Sequence, residues 1–392
     1  MRQKNRWLVL IAAILTNLSL GAGYAWSVFQ GPLVEKYGWM SSQAALAFSI
    51  SFAMVPVAMI IFGPRVDKNG PRKYVLLGGI LFGLGMFLTG FAKTIPMLYL
   101  TYGLLVGLGI GTGYGATTSS TVKWFPDKKG LAGGLTAAGF GSGAIILAPI
   151  ANNMIKNIGV SKTFNYLGII LLVVVVISSF FMAKPPSPEA TSSQATNDVT
   201  YKQMLKTSNF WILWIIYTMG AVAGMMIISN AKPIAETYNL SANPALIVSI
   251  VGLANTMGRI VWGTISDKMG RYMTIILMFI ASSIGLLLLG KYDVVGNSMA
   301  ILGIVLVALS FGGFLGIFPG ITAENWGIKN ASSNYGWLFT AYGVAAILGP
   351  VIAAKIVEAS GDYARAFTIA ITMAVVGIVF TIFYVKKEKN KV

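Results

Sequence analysis

The chain has 392 residues and a formal net charge of +17, with 56% of its residues hydrophobic and only 10% charged. Soluble domains carry about a quarter charged residues, so this composition excludes an ordinary soluble protein and places most of the chain in an apolar solvent. The absence of cysteine and histidine excludes disulfides, thiol catalysis, histidine proton relays and the usual transition-metal sites, and neither a metal nor a cofactor is expected.

Twelve apolar segments follow from the N-terminus, near 7–29, 43–63, 74–92, 95–118, 131–153, 163–183, 209–231, 244–266, 273–290, 299–320, 335–357 and 364–385. Each is roughly 18–24 residues long, enough to cross a hydrocarbon core of about 30 Å as a helix. The first follows Arg2, Lys4 and Arg6 as a secretory signal would. It is too long for a signal's apolar core and lacks a small-residue cleavage site, so it reads as the first span. Span four carries Gly103, Gly107, Gly111 and Gly115 on one helical face, a stripe that lets a neighbouring backbone approach closely, for packing or for rocking. Between spans six and seven, Lys184-Pro185-Pro186-Ser187-Pro188 opens a stretch of Ser, Thr, Gln and Asn, the composition of a linker. The prediction is an all-α integral membrane protein of two pseudo-symmetric six-helix bundles, 1–183 and 209–392. They are joined by a linker over 184–208, with a short surface helix at 201–209.

The halves repeat one another. Gly63-Pro64-Arg65-Val66-Asp67-Lys68-Asn69-Gly70 is echoed by Gly263-Thr264-Ile265-Ser266-Asp267-Lys268-Met269-Gly270, and Gly143 and Pro149 answer Gly343 and Pro350. Loops and spans repeated at half the chain length are a sequence signature of many secondary transporters. In Asp67–Arg72 and Asp267–Arg271, a carboxylate beside the start of the next helix and a nearby cation suit a gate that is made in one state and released in another.

Lysines and arginines divide twenty to eight between the two sets of loops. The richer set includes both termini, so both are expected in the cytoplasm, with the protein in the cytoplasmic membrane. The basic excess then reflects topology and contact with anionic lipid, and no nucleic-acid partner is expected. The chain is expected to act as a monomer.

All twelve acids lie in loops or at span ends, whereas Arg259 lies well inside span eight. Eight residues separate it from Asp267, about 12 Å along a helix, and a charge at that depth costs at least about 2.5–3.5 kcal/mol. Arginine offers a bidentate fork for a carboxylate, which makes Arg259 the candidate substrate-binding cation. Asn255, one turn earlier on the same face, is a candidate orienting amide. Tyr24, Tyr114, Phe314 and Tyr342 are candidate wall residues, and the hydroxyls of Tyr114 and Tyr342 need partners at mid-span.

With these residues the chain resembles the major facilitator superfamily, and within it the oxalate/formate antiporter family and its monocarboxylate-transporter relatives. The resemblance rests on Tyr24-Ala-Trp-Ser-Val-Phe29, Lys123-Trp-Phe-Pro-Asp-Lys-Lys-Gly130, Asn255-Thr-Met-Gly-Arg259 with Asp267-Lys-Met-Gly-Arg271, and Asn334-Tyr-Gly-Trp-Leu-Phe-Thr-Ala-Tyr-Gly343. It implies alternating access and small carboxylate substrates, with Arg259 at the family's carboxylate-binding arginine. Oxalate-specific members carry a lysine where this chain has Tyr342. A single buried cation matches a single charge, so a monocarboxylate such as lactate, pyruvate or formate is expected over oxalate. Proton-coupled symport is the expected mode, with the proton on Glu236, on a loop acid or on the substrate; carboxylate exchange is the alternative. No large soluble output domain supports a sensor, no mid-span acid supports export of cationic drugs, and no nucleophile–base set supports an enzyme.

Overall fold

The computed structural model describes residues 5–185, 198–242 and 244–389. Among them there is no strand, and twelve helices are long and apolar enough to cross a membrane. We label them α1 (Arg6–Leu20), α2 (Ser41–Asn69), α3 (Arg72–Thr89), α4 (Gly107–Trp124), α5 (Lys129–Ile158) and α6 (Val160–Phe181). The second set is α7 (Ser208–Thr237), α8 (Pro244–Met269), α9 (Arg271–Gly290), α10 (Asn297–Trp326), α11 (Ala331–Leu338, resuming as Thr340–Ser360) and α12 (Ala364–Lys389). Exposed apolar side chains on outer faces, such as Leu8, Ile11 and Leu15 on α1 or Ile169, Ile170 and Val173 on α6, suit a hydrocarbon solvent. Inside it, only internally bonded helices satisfy the backbone.

The helices depart from the apolar segments in two ways. First, α5, α7 and α10 are each 30 residues long. Apolarity marks only the stretch within lipid, while polar residues such as Asn153, Lys156, Lys232 and Glu236 continue the helix beyond it. Second, the segment 7–29 is not one α-helix. After Leu20 it tightens to a 3₁₀ turn at Gly21–Ala25 and resumes as Trp26–Tyr37. A π-helical stretch, Tyr99–Val106, likewise leads into α4.

Two compact units form. One comprises Met1–Asp127, Leu135–Tyr201 and Thr322–Trp337; the other comprises Lys128–Gly134, Lys202–Ile321 and Leu338–Val392. The segment leading into α5 groups with the unit that holds α8, and the segment leading into α11 with the unit that holds α2. In the first unit, methyl groups added at Gly103, Gly107, Gly111 or Gly115 would collide with α2. The stripe of span four therefore seats α2 directly on the π-helical stretch and α4. In the second, Gly258, Gly312 and Gly316 do the same for α8 and α10. The second unit's core gathers Met226, Ile227, Ile247, Val251, Leu286, Ile304, Val307, Phe367 and their neighbours from α7 to α12.

Candidate functional site

Arg259 is 1% exposed and Asn255 6% exposed. Its Nε donates to Asn255 Oδ1 at 3.5 Å, the long limit of a hydrogen bond. The one-turn spacing thus orients the guanidinium from its own helix. Gly312 and Gly316 of α10 lie against the backbone of Asn255 and Arg259, and Gly134 of α5 lies against the Arg259 carbonyl. Side chains at those three positions would push α8 away, so the glycines fix where the arginine stands.

The aromatic candidates fall into separate clusters. In the first unit Tyr24 stacks on Phe52 at 4.8 Å and meets the edge of Phe140 at 4.9 Å. Phe140 also meets Tyr114 at 5.3 Å, so one ring joins both candidate tyrosines. In the second unit Tyr342 stacks on Phe339 at 4.7 Å, with Phe311 at 6.3 Å. Phe314 is different. Its ring fills the space over Gly220 and lies 5.1 Å from Phe279, with no exposed surface. The structure places it among packing residues between α7, α9 and α10. Phe140 was missed because nothing in the sequence distinguishes it from the chain's other phenylalanines.

The duplicated loops adopt one geometry twice. Asp67 accepts from the N–H groups of Ser332 at 3.0 Å and Ser333 at 2.8 Å, and from Ser333 Oγ at 2.7 Å. Asp267 accepts from the N–H groups of Gly130 at 2.9 Å and Leu131 at 2.8 Å. These are the second and third residues of α11 and of α5. Each carboxylate therefore occupies the place of a side-chain N-cap for a helix remote in sequence, facing the positive end of its dipole. The rest of the motif follows from this contact. Gly63 and Gly263 stand where the arriving helix backbones, at Ser332 and Gly130, leave no room for a Cβ. Gly70 and Gly270 have φ of +84° and +88°, which an L side chain resists.

This corrects the expected position of the acids: both lie in the last turn of a helix and act on a distant one, not on the helix that follows. The cations also differ. Arg271 Nη1 pairs with Asp267 at 2.7 Å as expected, but Asp67 pairs with Lys123 at 2.8 Å. Arg72 lies over the ring of Phe180 at 5.0 Å instead, beyond the turn made at Gly70. Lys123 could have been suspected from its position, a lysine ending an apolar helix, with a side chain only 10% exposed.

Comparison with known proteins settles the family. The model of the Major Facilitator Superfamily matches residues 9–323 and 223–392. The chain belongs to the major facilitator superfamily. It is a multi-pass membrane transporter and not an enzyme. It is 33% identical over 351 residues to the uncharacterized MFS-type transporter YhjX of Escherichia coli (strain K12), covering 88% of this chain and 87% of that one. The oxalate:formate antiporter of Oxalobacter formigenes is 30% identical over 356 residues, covering 90% and 85%. Monocarboxylate transporter 4 of Gallus gallus is 26% identical over 402 residues, covering 97% and 84%. Among solved structures, the outward conformation of the MFS transporter FucP superposes with a TM-score of 0.74 at 13% identity, over 96% of this chain and 98% of that one, a likeness of fold.

Proposed function

We propose that this transporter carries a small monocarboxylate of the lactate, pyruvate or formate class, and that Arg259 binds the carboxylate. The observation that carries the reading is a guanidinium 1% exposed near the middle of α8, oriented by Asn255. The relatives named for oxalate, formate and monocarboxylates support it. Tyr342, in the same unit as Arg259, supplies an aromatic wall and a hydroxyl donor that suit a small, partly apolar anion. The Asp67 and Asp267 caps act as gates of the alternating-access cycle, and both termini and the capping loops face the cytoplasm.

For coupling, one observation favours exchange over proton symport. Glu236, the named proton carrier, is half exposed and lies 3.7 Å from Lys232 on the same helix face. The other described acids also sit at helix ends or in loops. Swapping one carboxylate for another needs no protonatable side chain. The test is uptake of labelled lactate into proteoliposomes, either preloaded with pyruvate or given an inward proton gradient. Stimulation by internal pyruvate without a pH gradient is expected, whereas uptake that requires the proton gradient would restore symport.

A further inference from the structure

The linker residues Asp198–Tyr201 make specific contacts with the protein. Val199 N–H donates to the carbonyl of Trp326 at 3.1 Å. Its own carbonyl accepts from Asn330 Nδ2 at 3.2 Å and from Asn334 Nδ2 at 2.9 Å. Asp198 Oδ1 accepts from the N–H of Lys329 at 3.2 Å, and Tyr201 stacks on Trp337 with centroids 6.1 Å apart and planes 12° from parallel. Gly327, at φ +80°, leaves no room for a Cβ beside Asp198. A flexible tether hydrogen-bonds to water. A peptide group whose donor and acceptor both find protein partners, flanked by a carboxylate contact and a ring stack, is docked.

What it docks on gives it meaning. The partners lie on the last residue of α10, on the turn that leads into α11 and on the first two turns of α11, the same helix end that Asp67 caps through Ser332 and Ser333. The first half carries a lesser version of the same idea. Arg6, at its leading end, pairs with Asp127 at 2.9 Å just before α5 and places its guanidinium 4.9 Å from the centre of the Phe125 ring. In each half, then, the leading end of the first helix, or the segment just before it, is seated on the turn that precedes the fifth. The first-half contact is an exposed ion pair and contributes little. The second is backbone-bonded at several points.

We propose that Asp198–Tyr201 is a latch on the cytoplasmic gate, one that holds the N-terminal end of α11 against α2 and must release before that end can move. The linker would then tune the transport rate, with no contact to substrate. The proposal rests on the gating role given above to Asp67 and α11, and the experiment separates the two.

Because the native chain has no cysteine, a single Ala331→Cys reports on this helix end, where Ala331 is 2% exposed. In that background, maleimide reactivity of the purified protein in detergent is compared for Asp198→Ala with Tyr201→Ala, for Asn330→Ala, for Tyr201→Phe and for Asp67→Asn. The double linker variant and Asn330→Ala are expected to raise the labelling rate about tenfold, equivalent to about 1.4 kcal/mol in a two-state equilibrium. Tyr201→Phe, which keeps the stack, is expected to stay near native. Unfolding would expose the cysteine too, so an unchanged melting temperature accompanies the expected result. Latch variants as protected as the parent overturn the proposal. Protection that persists in Asp67→Asn, while the latch variants are exposed, would sink the gating role of Asp67 and leave the latch standing.

Discussion

In the proposed site Arg259 is the residue on which carboxylate binding depends. A charged hydrogen-bonded pair cut at one partner costs about 2–5 kcal/mol, so Arg259→Ala, folded and inserted, should lose substrate affinity by about thirtyfold or more. Arg259→Lys keeps the charge without the planar fork and should fall between. In the same proposal Tyr342 limits the charge number. A phenol donates one hydrogen bond and cannot neutralise a second carboxylate, whose desolvation costs several kcal/mol, so oxalate should compete with labelled lactate far more weakly than pyruvate does. Tyr342→Lys should shift that competition toward oxalate; oxalate competing as well as pyruvate against the native protein would contradict the one-cation argument. Arg259 and Asn255 were legible because a lone charge inside an apolar segment, with an amide one turn away, is a local pattern. Phe140 and Phe314 were not, because which helix a ring faces depends on contacts such as Gly220 against Phe314 that no local pattern encodes.

At the level of elements, the repeat was readable and its purpose only half so. Two copies of Gly-x-x-x-Asp-Lys-x-Gly announce one structure built twice, yet Ser332 and Ser333, which Asp67 meets, lie more than 260 positions away. Capping in trans has no sequence spacing to read. Asparagine can still cap, so the change removes only the charge's attraction to the helix end, about 0.3–1 kcal/mol, and Asp67→Asn and Asp267→Asn should leave equilibrium substrate affinity nearly unchanged while slowing turnover several-fold. Affinity lost in step with rate would place the loops at the binding site instead. A separate element prediction concerns the loop end of the second unit. There Tyr238 donates to Asp362 at 2.5 Å and stacks on Tyr292 at 4.1 Å. Burial first, and then the Asp362 carboxylate, hold its phenol protonated well above the usual tyrosine range. Tyr238→Phe keeps the stack and removes the bond, and should lower stability by about 1–2 kcal/mol in thermal unfolding, with transport preserved.

For the whole molecule, composition alone carried the architecture. Twelve spans and their order were legible because a bilayer imposes a fixed length of apolar helix on any sequence that crosses it. What composition could not show was where polar residues would prolong α5, α7 and α10, or that short segments leading into α5 and α11 would pack with α8 and α2. The proposed sidedness rests on the charge division and is open to check: in otherwise cysteine-free protein, Lys206→Cys should react with an impermeant reagent from the cytoplasmic side and Lys291→Cys from the opposite side. The central claim is that one buried arginine makes this a carrier of single carboxylates, and counterflow tests it most directly. Proteoliposomes preloaded with unlabelled pyruvate should accumulate labelled lactate through the native protein, and Arg259→Ala of equal folding and insertion should show almost none. Counterflow at the native rate through Arg259→Ala would contradict the account.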